Sequence, residues 1–158
     1  MKLSCLAMVV LFVGASVAAE WPEFRGPQGN GHAAAKDLPV HWSDKVNVRW
    51  RTEIAGRGWS SPVIVGSQIR LTTAVETKLT EEQRKARVSG IPNGDTLSAS
   101  GPVTFRAICV ARDSGKILHD VELFVEQQPD PIHALNSYAS PSPIWDNERL
   151  YCHFGTNG

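Results

Sequence analysis

An internal repeat constrains the fold of this chain more than any other feature. The run that begins at Ser61 (SPVIVGSQIRL) aligns with the run that begins at Ser142 (SPIWDNERLYC). Each reads as a Ser-Pro pair, a short apolar strand, a two-residue turn and a second strand, and the turns are predicted at Gly66-Ser67 and Asp146-Asn147. Such self-similarity is typical of architectures built from stacked, similar units, so we expect the chain to contain repeated hairpins.

Further short strands are predicted between and before the two copies. Val103–Ala111 and Lys116–Val125 flank a turn at Asp113-Ser114-Gly115, which predicts another hairpin. Asn47–Ile54 (NVRWRTEI) alternates as a strand does. One face of that run carries Val48, Trp50, Thr52 and Ile54, and the other carries Arg49, Arg51 and Glu53. Two hairpins per period make a four-stranded sheet, so the fold class is predicted to be all-β.

The segment Val75–Pro102 interrupts this strand pattern. Its first part, Leu79–Arg87 (LTEEQRKAR), is predicted to be a short helix, because Thr80 can cap it and basic residues gather at its C-terminal end. The rest has loop composition. We favour a solvated insertion over a partner-binding element. The insertion also explains why the two copies lie farther apart than the ~40–50 residues of common propeller repeats.

Several motifs resemble those of one β-propeller family. The run 107–118 (AICVARDSGKIL) resembles the A-L-D-x-x-T-G-K-x-L-W signature of pyrroloquinoline-quinone-like (PQQ-like) propeller repeats. The runs WPEFRGP from Trp21, GRGWSSP from Gly56 and HALNSYASP from His133 are similar to a secreted bacterial subgroup of that family. The resemblance implies an incomplete β-propeller of about one and a half four-stranded blades, with one short helical insertion.

The sequence departs from that signature at two positions. Ala111 replaces the usual Asp, and His119 stands where a docking tryptophan would be. Trp50 instead resembles the docking tryptophan of an outermost strand, which in such propellers completes the last blade. A propeller needs at least ~4 blades, and an unclosed stack would leave strand edges and an apolar face uncovered. We therefore expect this chain to be the N-terminal fragment of a longer protein.

The N-terminus predicts export. Lys2, the apolar run Leu3–Val13 and the small residues Ser16–Ala19 form the three parts of a secretory signal peptide, with cleavage predicted between Ala19 and Glu20. The apolar run is shorter than the ~20 residues that cross a bilayer, which disfavours a membrane anchor. Cys5 lies near the start of the apolar run and not after it, which disfavours a lipoprotein.

The predicted organisation has three parts: a signal peptide at 1–19, a Gly/Pro-rich segment at 20–45 and a partial PQQ-like propeller domain at 46–158 with its insertion at 75–102. The predicted location is the periplasm or the outside of the cell, with no membrane span after cleavage. Sixteen basic residues balance sixteen acidic ones, so charge gives no argument for a nucleic-acid partner. Cys109 and Cys152 remain after cleavage, either as a disulfide or, as we favour, as small core residues.

Four residues on loops that the resemblance places on the ligand face of the propeller form the candidate site. They are Arg57, Trp59, Asn136 and Tyr138. An arginine offers a fixed fork for a carboxylate or phosphate, and the aromatic rings can stack on a sugar or a quinone. The favoured alternative is structural: the two aromatic residues wedge between blades, and the asparagine satisfies loop backbone.

No catalytic or metal site is predicted. The five histidines lack the spacing of a zinc site, and no Gly-x-Ser-x-Gly elbow is present. We expect an exported, non-catalytic binding scaffold without a cofactor, whose partner is a protein or a carbohydrate. The alternative that the family implies is the N-terminal part of a quinoprotein oxidoreductase. Such an enzyme uses PQQ with calcium, oxygen ligands and adjacent cysteines, and this chain has no adjacent cysteines.

Overall fold

Every strand pair within residues 20–158 is antiparallel. The computed structural model describes residues 20–158, and the signal peptide predicted at 1–19 lies outside the described residues. In chain order, the elements are β1 (Val63–Val65), β2 (Gln68–Glu76), α1 (Glu81–Val88), β3 (Leu97–Ser98), β4 (Val103–Ala111), β5 (Ile117–Glu126), β6 (Ile132–His133), β7 (Ile144–Asp146) and β8 (Arg149–Tyr151). The mostly β character agrees with the prediction. Within residues 20–158, no helix is long and apolar enough to cross a membrane.

Four strands form the main sheet as an up-and-down antiparallel meander in the order β1-β2-β4-β5. The hairpin β1–β2 turns at Gly66-Ser67, as predicted, and Gly66 has a φ of 56°, which glycine adopts at no steric cost. Strands β2 and β4 pair across the insertion, from Gln68 opposite Ala111 to Glu76 opposite Val103. The two hairpins predicted between 61 and 125 therefore do join into one four-stranded sheet.

The second copy of the repeat forms a separate hairpin, β7–β8. Its turn is at Asn147-Glu148, one residue later than predicted, because β7 extends through Asp146. Both turn residues have positive φ, at 44° and 61°. Two positive φ values in succession are the geometry of a type I′ turn, whose twist matches that of antiparallel strands.

The strand predicted at Asn47–Ile54 is wrong: within the described residues, this segment makes no backbone hydrogen bonds to another strand. Alternation persists, because Trp50, Thr52 and Ile54 are half-buried while the charged residues between them are exposed. Val48, predicted on the inner face, is exposed. A strand needs a neighbour for its backbone groups, and within the described residues this segment pairs with no strand of the main sheet.

Two side-chain hydrogen bonds hold this extended segment, residues 48–54, against the main sheet. Trp50 Nε1 donates to the carbonyl of Arg112 at 2.8 Å, and Thr52 Oγ1 donates to the carbonyl of Gly115 at 2.6 Å. Gly115 has a φ of 73°, and a Cβ there would lie 2.6 Å from the Trp50 ring. The tryptophan thus docks on the β4–β5 turn, although it brings no strand pairing with it.

The insertion contains the predicted helix. Helix α1 begins after Thr80, whose side chain accepts a hydrogen bond from the Gln83 backbone N–H, while the Gln83 side chain accepts one from the Thr80 backbone N–H. This capping box satisfies two donors that the first helical turn leaves open. Helix α1 buries no residue, which agrees with a solvated insertion.

The hydrophobic core lies between the main sheet and the chain that follows β6. Phe105 of β4 is fully buried and stacks on Phe124 of β5 with ring centroids 4.6 Å apart. Phe154, beyond β8, packs on Phe105 with centroids 4.5 Å apart. Both cysteines are free thiols: Cys109 is buried and Cys152 packs against this core, which is the second of the two interpretations offered above.

Residues 20–26 run beside the first strand of each hairpin, β1 and β7, and we call them the N-terminal strap. The backbone of Trp21 exchanges two hydrogen bonds with Ile64, at 2.8 and 2.9 Å. The carbonyl of Pro22 accepts one from the Trp145 N–H at 2.8 Å. Ile64 and Trp145 occupy equivalent positions in the internal repeat. The N-terminal strap therefore forms backbone hydrogen bonds with equivalent residues of the two repeat copies.

Candidate ligand site

The candidate site is built on residues 56–61, which lead into β1. Arg57 pairs with Ala74 of β2 through two backbone hydrogen bonds of 2.9 Å. The glycines on either side permit this close approach: a Cβ on Gly56 would lie 2.5 Å from the Ala74 carbonyl oxygen, and one on Gly58 would lie 2.5 Å from that of Thr72. The backbone that carries the site is therefore held tightly against the main sheet.

The loop that precedes β7 closes on this segment. The carbonyl of Ala139 accepts hydrogen bonds from the N–H groups of Trp59 at 3.1 Å and Ser60 at 3.2 Å. Ser61 N–H donates to the Ser142 Oγ at 2.8 Å, which joins equivalent serines of the two repeat copies. Three hydrogen bonds thus bring the two predicted loops together.

Arg57 and Asn136 are in direct contact. The Arg57 Nη2 donates to the Asn136 carbonyl oxygen at 2.7 Å. Its Nε lies 3.4 Å from Glu76 Oε1, which makes an ion pair without a hydrogen bond. Glu76 was not among the predicted site residues. Extending the alternation of β2 beyond Ala74 would have placed it on the same face as Ala74.

Trp59 is 57% exposed. Within residues 20–158 its indole is not packed between two elements. Because its backbone is bonded to Ala139, the exposed ring sits on a fixed main chain. An exposed tryptophan on a rigid backbone is a surface feature available for contact.

Asn136 has a structural role as well as its contact with Arg57. Its Oδ1 accepts hydrogen bonds from the Ser137 N–H at 2.9 Å and the Ser140 Oγ at 2.5 Å. These bonds fix the turn that positions the Asn136 carbonyl. Asn136 therefore satisfies hydrogen-bonding groups of its loop, as the structural alternative expects, and the same bonds support the geometry of the site.

Tyr138 lies inside the protein, with 3% of its surface exposed. Its hydroxyl donates to the Asp130 carbonyl oxygen at 2.8 Å. Burial raises the pKa of Tyr138 to about 12, with the Glu76 carboxylate adding to the effect. A buried, neutral phenol anchors the loop and presents no surface to a ligand.

Tyr138 should make stability depend on pH in the alkaline range. Its folded pKa of about 12 exceeds the ~10 of an unfolded tyrosine, so the native state binds more protons in between. Stability is then complete below pH ~10 and falls by about 1.4 kcal/mol per pH unit as pH rises toward 12. Urea unfolding from pH 8 to 12 measures this slope.

The matched variant is Tyr138→Phe, which should show a shallower alkaline slope than the parent chain. Burial also raises the pKa of the Cys109 and Cys152 thiols, so part of the alkaline loss should persist in the variant. Equal slopes for the two proteins would show that Tyr138 ionises as freely when folded as when unfolded.

The surface around Arg57 and Trp59 is open. Cavities of the described chain are lined by other residues. One of about 540 Å³ lies beside the N-terminal strap, another of about 540 Å³ is lined by Arg51, Thr52 and Glu53, and a smaller one of about 210 Å³ is lined by Gly56, Gly58 and Ser60 with neighbouring residues of β2. Within residues 20–158, no group of three or more His, Cys, Asp or Glu side chains is placed to hold a metal ion.

Comparison of the chain with protein-family models, with curated proteins and with solved structures gave no match.

Proposed function

We propose that this chain is part of an exported, non-catalytic PQQ-like β-propeller that serves as a scaffold and binds a protein or carbohydrate partner. The observation that carries the proposal is the four-stranded antiparallel meander followed by a repeat of its first hairpin. One blade of a propeller is such a four-stranded sheet, and the next blade begins with the same inner hairpin.

The packing of the second hairpin on the main sheet supports this proposal. Trp145 of β7 lies over the guanidinium of Arg70 on β2, with Arg70 Cζ 3.9 Å from the ring centroid. Farther out, Phe154 packs on Phe105. Face-to-face contact between a sheet and the start of its repeat is the packing that successive blades use.

The uncovered parts of the main sheet also support more blades. Strand β5 is an edge strand with exposed apolar side chains at Ile117, Leu118, Val121, Leu123 and Val125. The extended segment 48–54 is anchored by Trp50 but has no strand partner within the described residues. In a ring, neighbouring blades would cover the first feature, and the last blade would pair with the second.

The architecture is tested by the coding sequence beyond Gly158. We expect further PQQ-like repeats that end in a blade lacking its outermost strand, for which residues 48–54 would substitute. A stop codon directly after Gly158 would contradict the ring. Adjacent cysteines together with Asp, Asn or Glu calcium ligands in the later repeats would favour the quinoprotein oxidoreductase instead.

Export is tested separately by expressing the full chain with its own N-terminus in a Gram-negative host. We expect the protein in the periplasmic fraction, with an intact mass that begins at Glu20. A cytoplasmic product that retains Met1–Ala19 would contradict the proposed location.

A further inference from the structure

We propose that the surface formed by Arg57, Trp59 and Asn136 binds a neutral carbohydrate chain, with one sugar ring stacked on Trp59. The inference deepens the proposed binding role by naming the ligand class, and it rests on that proposed function. Three properties of the surface carry it: an exposed aromatic ring, a neutralised arginine and an open shape.

The aromatic ring is exposed and held in place. Trp59 is 57% exposed, while its backbone N–H is bonded to Ala139 and its neighbour Gly58 is pressed against the Thr72 carbonyl. A ligand that covers the indole therefore gains apolar burial without ordering the main chain. The C–H face of a pyranose ring is flat and apolar, so it suits such a platform.

The charge of Arg57 is already matched. Its Nη2 donates to the Asn136 carbonyl, and Glu76 lies 3.4 Å from its Nε. An anionic ligand would have to compete with the Glu76 carboxylate and would be repelled by it. The structure thus argues against the carboxylate or phosphate that an arginine fork alone would suggest.

A neutral polyol fits the groups that remain. The Arg57 side chain is half-exposed and retains N–H groups that can donate, whereas Glu76 Oε1 is buried behind it. Asn136 uses its Oδ1 within the loop, and within residues 20–158 its Nδ2 donates to no other group. Sugar hydroxyls carry no charge and can accept hydrogen bonds from these donors.

The open shape indicates a chain and not a single sugar. Small ligands are usually held in cavities that cover most of their surface. Trp59 is instead 57% exposed, and the cavities of about 540 and 360 Å³ in the described chain are lined by other residues. A polysaccharide can cross an open surface and gain contacts from several successive rings.

The test is affinity electrophoresis of the full chain in native gels that contain one polysaccharide each. The neutral probes are hydroxyethylcellulose, galactomannan and mixed-linkage β-glucan, and the acidic probe is polygalacturonate. We expect retardation in at least one neutral gel and none in polygalacturonate. Trp59→Ala should weaken the neutral interaction about tenfold or more.

The matched control is Trp42→Ala. Trp42 is 71% exposed and lies outside the site, so its loss should leave the retardation unchanged. Because both tryptophans are exposed, both variants should keep the thermal midpoint of the parent, which confirms that they fold.

Migration without retardation in all three neutral gels, retardation in polygalacturonate, or equal losses in the two tryptophan variants would overturn the carbohydrate site. Those results leave the ring architecture intact, because the coding sequence beyond Gly158 tests it independently. If that sequence instead lacks further repeats while Trp59-dependent binding is found, the propeller fails and the carbohydrate site stands.

Discussion

Phe105→Ala is expected to lower the free energy of unfolding by about 4 kcal/mol. The Phe105 ring is fully buried and contacts two other rings, those of Phe124 and Phe154, at 4.6 and 4.5 Å between centroids. Its removal takes away apolar burial and leaves a cavity between the main sheet and the segment after β8. Because domains are stable by only ~5–15 kcal/mol, such a loss is a large fraction of the total.

Urea unfolding followed by circular dichroism measures the change. Phe24→Ala is the matched control, because Phe24 is 58% exposed and outside the core, and it should change stability by less than about 1 kcal/mol. Similar losses in the two variants would mean that Phe105 does not hold the sheet against the second hairpin.

Gly56→Ala is expected to cost about 3 kcal/mol or more. Gly56 has a φ of 86°, and a Cβ there would lie 2.5 Å from the Ala74 carbonyl oxygen and 2.7 Å from Thr73 Oγ1. The left-handed conformation alone costs a residue with a side chain roughly 1–2 kcal/mol. The contact with the Ala74 carbonyl adds to that cost, because backbone of a central strand cannot move aside cheaply.

Gly66→Ala separates these two contributions. Gly66 also has a positive φ, at 56°, but a Cβ there would meet nothing within 4 Å. It should therefore cost only about 1–2 kcal/mol. Equal losses in the free energy of unfolding for the two variants would show that residues 56–58 lie less tightly against β2 than described. In that case the close approach to β2 would not fix the Arg57 backbone.

The strands that were predictable from sequence are those whose partners are close in the chain. The hairpin β1–β2 and the strands β4 and β5 follow from alternation and from turn residues such as Gly66 and Gly115. Their pairing is local, so a pattern of residues is sufficient to indicate it. The helix α1 follows in the same way from its capping residues.

The segment 48–54 shows that a local residue pattern does not predict strand pairing. Its alternation correctly assigns Trp50, Thr52 and Ile54 to the inner side, yet the strand itself does not form within the described residues. Pairing depends on whether another edge lies alongside, and that is a tertiary property. The N-terminal strap was missed for the same reason, because its partners Ile64 and Trp145 are distant in sequence.

The candidate site was predictable in part. Arg57, Trp59 and Asn136 were singled out because the resemblance placed their loops on one face, and the structure brings those loops into contact. Residue type alone did not show that Tyr138 is buried. Nor did it show that Glu76 neutralises Arg57, because that contact depends on the register of β2.

The N-terminal strap has a consequence for the order of events during synthesis. The strap is made first, but its hydrogen bond from Trp145 to Pro22 cannot form until the ribosome has added β7. Contacts so distant in sequence are slow to close. Until they form, the edges of β1 at Ile64 and of β7 at Trp145 are open to pairing with other chains.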